Sequence, residues 1–579
     1  MSYSVEKFEP IKVLDTRIDL AEAPVYAVLQ GGAKHTVQAY QPSASSSTQL
    51  TFNVTTPSPA VVVSRKMMLK TTITLSITGK ALAANAACIS VGSTDAARNF
   101  PIASCTDQLT LSINNTAMSV PLREVFGAMK WIQGDKLMTL CDEVPSYFDN
   151  AQKYSDFVSS NRNALGGAYT SNTEYTRGAF PYNVTTYYGG AVYNASTNTW
   201  ASGATVTSVV SFHVSEPIFI SPLQWAQVSQ GMIGVQNMSL NLQLSNIARM
   251  WSSAQSTSSN GLTVTPGAVT TSIVPSTANA SLFGNPLLYL EYITPPITEA
   301  MPKQVSLPYH VVQPYITASA DTFLATPSPY VPTAPLTKAI QSQSIQLQSV
   351  PQYAIIYARR QTANETYATP DAFLGLRGVS ITFNNQTGLL STAQPEHLYS
   401  MSRKNGVTQT WLEWSGRGFA GIAASSGANQ VPVGLVGSVC VLEFGTDIPI
   451  DDSLAPGVAG TFQFSANASF ENTGSDDLAA PALYVVFVHE GILTVGEGRA
   501  YAQVGVVSAA DVLDAKTAPT INQAALMESG GNFYSSMAEK IRKHLQFKPK
   551  GAGLVYPKGD AGKLGGALLG RAQLKARLA

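Results

Sequence analysis

A rhythm that occurs twice constrains this chain more than any single residue. Gln49-Leu-Thr-Phe-Asn-Val-Thr55, Leu69-Lys-Thr-Thr-Ile-Thr-Leu-Ser-Ile-Thr78, Gln108-Leu-Thr-Leu-Ser-Ile113 and Val235-Gln-Asn-Met-Ser-Leu-Asn-Leu-Gln-Leu244 alternate apolar and polar residues. A second series begins near Leu287-Leu-Tyr-Leu-Glu-Tyr-Ile293, passes through Val379-Ser-Ile-Thr-Phe383 and ends at Leu483-Tyr-Val-Val-Phe-Val488. Period two is the mark of half-buried antiparallel strands. The chain of 579 residues has room for two sandwich domains of about 200–250 residues each. The expected organisation is an N-terminal arm at 1–40, a first sandwich at 41–280, a second at 281–505 and a tail at 506–579.

Long insertions interrupt the rhythm. Asn161–Val206 is rich in Tyr, Asn, Thr and Gly, and Trp251–Ala280 is rich in Ser and Thr. Loops this long inside a compact domain are functional or disordered, and a Tyr-rich, charge-poor composition favours an ordered projection. Tyr169, Tyr175, Tyr182, Tyr187, Tyr188 and Tyr193 are therefore expected in an outer-surface loop. Two helices are expected, one within each sandwich. Pro121 to Ile132 carries one apolar face, with Gly134 beyond its end. Ser391-Thr-Ala-Gln394 reads as a capping box, and Lys404-Asn-Gly406 as a helix stop.

Only 12% of residues are charged, against roughly 25% in typical soluble domains. A neutral, Ser/Thr/Asn-rich surface suits a protein that buries much of itself against its own copies. The balanced total hides an asymmetry. Of 36 basic and 36 acidic residues, ten basic and one acidic lie between 540 and 579, leaving 26 and 35 elsewhere. The ten are Lys540, Arg542, Lys543, Lys548, Lys550, Lys558, Lys563, Arg571, Lys575 and Arg577. Phe533, Met537, Ile541 and Leu545 recur every fourth residue among them, as on an amphipathic helix. A basic tail on an acidic body points to a partner of its own, nucleic-acid phosphates or another acidic partner or an anionic membrane surface, with a solvated tail whose helix packs on the parent domain as the alternative.

Catalytic patterns are missing. The six histidines (35, 213, 310, 397, 489 and 544) show no metal-ligand spacing. No Gly-x-Ser-x-Gly elbow occurs. Gly559-Asp-Ala-Gly-Lys-Leu564 fails as a phosphate loop because Leu564 replaces Ser or Thr and Pro557 replaces the first glycine. Asp447, Asp451, Asp452, Asp476 and Asp477 read as turn residues. Cys88, Cys105, Cys141 and Cys440 read as free thiols packed as small hydrophobes. No signal peptide or spanning helix is expected, so synthesis inside a host cell without a secretion signal is. Neither an enzyme nor any cofactor or metal is expected.

Several segments taken together resemble the double jelly-roll major capsid proteins of the adenovirus-hexon-like lineage, and those of polinton-like viruses and virophages most. They are Glu216-Pro-Ile-Phe-Ile-Ser-Pro222 with Gly231-Met-Ile-Gly-Val-Gln-Asn237, Tyr289-Leu-Glu-Tyr-Ile-Thr-Pro295 through Pro302-Lys-Gln-Val-Ser-Leu-Pro-Tyr309, and Ile345-Gln-Leu-Gln-Ser-Val-Pro351. Ile381-Thr-Phe-Asn-Asn-Gln-Thr-Gly-Leu-Leu390, Leu398-Tyr-Ser-Met-Ser-Arg-Lys-Asn-Gly406, Trp411-Leu-Glu-Trp414, Phe444-Gly-Thr-Asp-Ile448 and Leu454-Ala-Pro-Gly457 complete the set. The likeness spans roughly 45–500 and leaves the tail after about 510 unmatched. It implies an all-β chain of two tandem eight-stranded jelly-roll sandwiches, with short helices in loops and a basic, partly helical C-terminal tail.

In function the likeness implies a homotrimeric, pseudo-hexameric capsomer that tiles the icosahedral shell of a double-stranded DNA virus. Partners would be neighbouring capsomers, penton or other minor capsid proteins and, through the tail, viral DNA or an internal membrane. Two other classes fit parts of the sequence. A jelly-roll lectin or adhesin would use the Tyr-rich loops as its ligand site, and a jelly-roll hydrolase or cupin would need a His and carboxylate cluster that the dispersed histidines do not supply.

Overall fold

Alternating residues become strands that close two β-sandwiches in the computed structural model. It describes residues 34–58, 60–82, 87–91, 95–132, 181–187, 193–194, 199–200, 205–219, 231–253, 263–266, 281–295, 304–325, 336–367, 369, 371–420, 431–474, 477–496, 498–505, 507–510 and 512. The chain divides into two units, Met1–Val507 and Ser508–Ala579. Both sandwiches belong to the first.

The first sandwich uses β1 (Lys34–Tyr40), β2 (Gln49–Thr55), β3 (Val62–Lys80), β4 (Thr106–Ile113), β5 (Thr116–Val120), β6 (Thr205–Pro217), β7 (Asn237–Leu244) and β8 (Phe283–Thr294). Its sheets run β1-β8-β3-β6 and β2-β7-β4-β5, with shorter strands added at the edges. Cross-strand pairing aligns the apolar residues. Leu240 of β7 faces Phe52 of β2 on one side and Leu111 of β4 on the other, and Leu242 likewise faces Leu50 and Leu109. A one-residue slip would turn this row to solvent, so the alternation sets the register.

The second sandwich uses β9 (Gln304–Ala318), β10 (Thr337–Gln341), β11 (Ile345–Ser349), β12 (Tyr353–Arg360), β13 (Gly375–Phe383), β14 (Gln386–Leu389), β15 (Cys440–Glu443), β16 (Ala459–Glu471) and β17 (Pro481–Gly496). Its sheets run β9-β17-β12-β15 and β10-β16-β13-β14, with β11 also on β16. If β10 and β11 count as one interrupted strand, both sandwiches pair their strands in the same order, 1-8-3-6 over 2-7-4-5. Apart from the hairpin of strands four and five, non-neighbouring strands pair in both sandwiches, which is Greek-key connection used twice over.

Three boundaries differ from the sequence expectation. The segment opening the second series, Leu287–Ile293, lies in β8 and pairs with β3 through Leu288↔Leu69 and Leu290↔Met67. The first sandwich therefore runs past residue 280, because its last strand must return to fill the sheet between β1 and β3. Lys34–Tyr40 is likewise a strand, not an arm, since it pairs along β8. The Trp251–Ala280 insertion is also only partly a surface element. Trp251–Ser253 pairs with Asp95–Ala97, Thr263–Pro266 pairs with β3, and Trp251 is fully buried.

Helices sit where both halves leave the fifth strand. After β5 comes α2 (Leu122–Met129), preceded by a five-residue helix α1 (Pro101–Cys105). After β14 comes α3 (Pro395–Lys404), then α4 (Trp411–Ser415). The capping box falls elsewhere than Ser391. Gln394 precedes α3 without a side-chain cap, and Pro395 starts that helix. Thr410 and Glu413 form the reciprocal box on α4. That helix ends at Gly416 with φ 75°, where a Cβ would lie 2.8 Å from Thr473 Oγ1.

Candidate functional site

The second sandwich has one sheet with both faces covered. Along β17 every residue from Pro481 to His489 is buried. Phe487 points into the sandwich, against Phe464 and Phe444. Tyr484, Val486 and Val488 share an apolar cluster with Phe126, Met129 and Phe219 of the first sandwich. The two sandwiches are thus welded along a seam, with α2 of the first bonded to β12 of the second and sharing an apolar cluster with β17.

The seam is polar as well as apolar. Arg98 and Arg249, both buried, come from the first sandwich and converge on Asp371 of the second. Arg98 Nη1 lies 3.2 Å from Asp371 Oδ2, and Arg249 Nη2 donates to Asp371 Oδ1. Burial alone would raise the Asp371 carboxyl, but Arg98 and Arg249, aided by Lys130 and Arg359, hold it well below the usual carboxylate range. On the other side of the same junction, Arg359 Nη1 donates to Glu365 Oε1 at 2.7 Å and Nη2 donates to the Arg123 carbonyl at 2.9 Å. Its guanidinium lies 5.0 Å from the centre of the Tyr484 ring, which stacks on Tyr357. Tyr357 Oη donates to the Glu124 carbonyl near the start of α2.

Backbone carbonyls complete the joint. Arg98 Nη2 donates to the carbonyls of Tyr367 and Thr369, Arg249 Nη1 to those of Thr366 and Thr369, and Asn246 Nδ2 to that of Glu365. The loop from Thr362 to Asp371 is therefore read almost residue by residue by arginines of the other sandwich. Such a buried ionic lattice adds little net stability, because desolvation offsets attraction. Its fixed donor geometry instead specifies one docking angle.

A second clasp explains the Glu216-Pro-Ile-Phe219 segment. Glu216, at the end of β6, accepts from the N–H groups of Ile102 at 2.9 Å and Ala103 at 3.0 Å. Burial pushes its carboxyl up to about 7, against the opposing pull of those two N–H bonds. Phe219 packs on Phe126 with ring centres 4.8 Å apart, and Phe100 closes the trio. Phe100 takes φ 45°, a left-handed conformation that an aromatic residue adopts only when its surroundings enforce it.

The residues singled out in the sequence lie elsewhere. The tail cations from Lys540 to Arg577, and Tyr169, Tyr175 and Tyr188, fall outside the described residues. Tyr187 and Tyr193 lie in the short strands Asn183–Tyr187 and Tyr193–Asn194. Tyr182 turns inward: its ring packs edge-on to Phe212 and Trp251, and its hydroxyl accepts from Ala97 N at 3.0 Å. Cys88, Cys105 and Cys440 are buried free thiols, whereas Cys141 is outside the described residues. Asp447 accepts from Asn405 Nδ2 and the Glu443 N–H, as a turn residue does. Among the described residues, no three metal-ligating side chains gather, and no helix is long and apolar enough to cross a membrane.

Sequence reasoning missed the seam arginines altogether. Each stands alone in sequence, and only the fold gathers them. Two sandwiches of one strand order, joined along a buried seam, define the double jelly-roll class.

The comparisons give that class its family. The model described as the first domain of the Sputnik virophage major capsid protein matches residues 6–285, and the model of the V20 major capsid protein C-terminal domain matches 313–491. A V20 capsid protein of Sputnik virophage is 28% identical over 559 residues, covering 94% of this chain and 88% of that one. A chain of the Sputnik virophage cryo-EM structure superposes with a TM-score of 0.69 at 26% identity, covering 91% of this chain and 99% of that one. The mavirus major capsid protein shares the fold, with a TM-score of 0.65 at 16% identity over 89% of this chain and 99% of that one. The chain belongs to the double jelly-roll major capsid proteins of virophages, a structural family and not an enzyme family.

Proposed function

We propose that three copies of this chain close into one pseudo-hexagonal capsomer, and that such capsomers tile an icosahedral shell around double-stranded DNA. The repeated strand order carries the reading. Two sandwiches of one topology, held at a fixed angle by the seam, give each chain two similar lobes. Three such chains in a closed ring offer six lobes, and closure satisfies head-to-tail contacts without an open end. Rigidity follows from close packing within each sandwich and across the seam. Light scattering with negative-stain imaging tests this: a particle near three times 61.3 kDa with a hexagonal outline is expected. A monodisperse monomer would overturn the trimer.

The tail from Lys540 to Arg577 faces the shell interior in this reading and meets viral DNA or an internal membrane. Its local charge supports the placement, since phosphate contacts give salt-sensitive binding without sequence preference. Deleting Lys540–Ala579 is expected to leave trimers intact and impair packaging or shell closure. Charge reversal at Lys540, Arg542 and Lys543 is expected to weaken DNA retention most at low salt. The insertion around Tyr169, Tyr175 and Tyr188 supplies outward loops in this reading, while Tyr182 packs inward, and penton or other minor proteins occupy the vertices.

A further inference from the structure

Each sandwich has one sheet whose outward face is polar but carries charge only at its rim. In the first, β2, β7, β4 and β5 alternate buried apolar residues with outward polar ones. Thr51, Asn241 and Thr110 lie side by side in one row, and Asn53, Ser239 and Ser112 form the next. In the second, β10, β16 and β13 set Gln341, Asn467 and Ser380 in one row and Ala339, Ser469 and Gly378 in the next. Among the described residues, charge stands at the margins: Asp107 near the start of β4, Lys338 on the edge strand β10, Asp451 beside the edge strand β14. Glu471, at the end of β16, is buried beneath Arg377 and Arg417. Elsewhere both sandwiches show charge freely. Glu396, Arg403 and Lys404 are exposed on α3, and His35 pairs with Glu291 across β1 and β8.

Three properties of these faces fit a copy of the same chain. A contact about a two-fold axis sets a residue opposite its own twin, so a charge near the axis repels itself, and a neutral face escapes that cost. The side chains are also held in place before contact. Gln49 Nε2 and Thr51 Oγ1 both donate to Asn241 Oδ1 at 3.1 Å, and Ser239 Oγ donates to Asn53 Oδ1 at 3.0 Å. Gln463 Nε2 donates to Ser344 Oγ at 2.7 Å. Ordered rotamers have less entropy to lose on docking. Size is the third property. Four strands about 4.8 Å apart and some seven residues long give a footprint of roughly 450 Å². That is near half of the ~800 Å² per partner in a standard stable interface. One such contact does not pair two free capsomers, whereas many repeated around a shell hold it together.

We propose that these two neutral faces are the lateral contacts between neighbouring capsomers, each occupied by a neutral face of a second copy of this chain. The assignment rests on the capsomer reading above and names the surface by which capsomers meet. Such a contact works through direct and water-bridged hydrogen bonds, so shell cohesion depends little on ionic strength.

The test introduces charge at the centre of each face in the full-length protein. Asn241→Asp and Asn467→Asp keep side-chain volume and should leave trimer mass and thermal midpoint unchanged. Each should lower the yield of closed shells roughly tenfold at low salt, with recovery as salt screens the repulsion. Opposite charge should restore assembly. Asn241→Asp capsomers should close shells with Asn241→Lys capsomers if first faces meet first faces, and with Asn467→Lys capsomers if first faces meet second. Either rescue identifies the occupant as a second copy, and a misfolded variant gives neither. If the charged variants do not trimerise, Ser239→Cys and Ser469→Cys decide: a maleimide should label both in free trimers and neither in shells. Parental shell yield with the charges in place, no rescue by any opposite pair, or equal labelling in trimers and shells would each overturn the assignment. Unaltered protein that forms neither trimers nor shells would instead overturn the capsomer reading.

Discussion

Strands β16 and β17 belong to the same sandwich yet are built by different rules. In β16 the sequence alternates, and so does burial: Phe462, Phe464, Ala466, Ala468 and Phe470 face inward while Gln463 and Asn467 face solvent. In β17 Leu483-Tyr-Val-Val-Phe-Val488 is apolar without a break, and both faces are covered. The first strand has one neighbour layer, its own partner sheet. The second has two, because the other sandwich lies on its outer face. Unbroken apolar runs in an antiparallel sheet therefore mark where a second body docks.

That contrast can be broken at the seam first. Asp371→Ala leaves Arg98 and Arg249 buried without their carboxylate, and a loss of about 3–5 kcal/mol is expected. Chemical denaturation would read it, and a loss below 1 kcal/mol would show that the lattice is not what joins the halves. Phe487→Ala, on the inner face of β17, should cost about 3–5 kcal/mol through the cavity it leaves, whereas Asn467→Ala on the open face of β16 should stay within about 0.5 kcal/mol. Similar losses for the two would erase the distinction between the strands.

Acid titration sharpens the comparison between sandwiches. Glu216, in the first, has its carboxyl raised to about 7 from about 4.5, so the fold favours its protonated form. Its contribution is intact below about pH 4.5 and is lost as pH rises through 7, a swing of about 3 kcal/mol. Burial pushes His310 and His489, in the second, down to about 4, so theirs is intact above about pH 6.5 and lost as pH falls toward 4. Glu216→Gln should remove the first slope and leave the second, as stability curves from pH 4 to 8 would reveal. The smallest effect is local: Thr410→Ala removes the cap of α4 and should cost about 1 kcal/mol by equilibrium unfolding.

Much of the fold was legible because alternation reports burial on one face. The core rows at Phe52, Leu111 and Leu240 and the paired placement of α2 and α3 follow from spacing alone. The limit of the first sandwich was not legible, because β8 looks the same whether it closes one sheet or opens another. Only its pairing with β1 and β3 decides. Nor could the seam be read: Arg98, Arg249 and Asp371 are each an ordinary charged residue until the chain brings them together. The Glu216 segment was visible as a pattern, but its purpose, gripping α1, depends on a helix more than a hundred residues earlier.

The short connection between Thr294 and Gln304 has a further consequence. Tethering keeps the two sandwiches at a high effective concentration, on the order of millimolar for a short link. The seam need not be strong enough to recruit a separate partner, which leaves its ionic contacts free to be selective. One transcript also delivers the halves in strict one-to-one ratio, so a growing lattice never meets an excess of either.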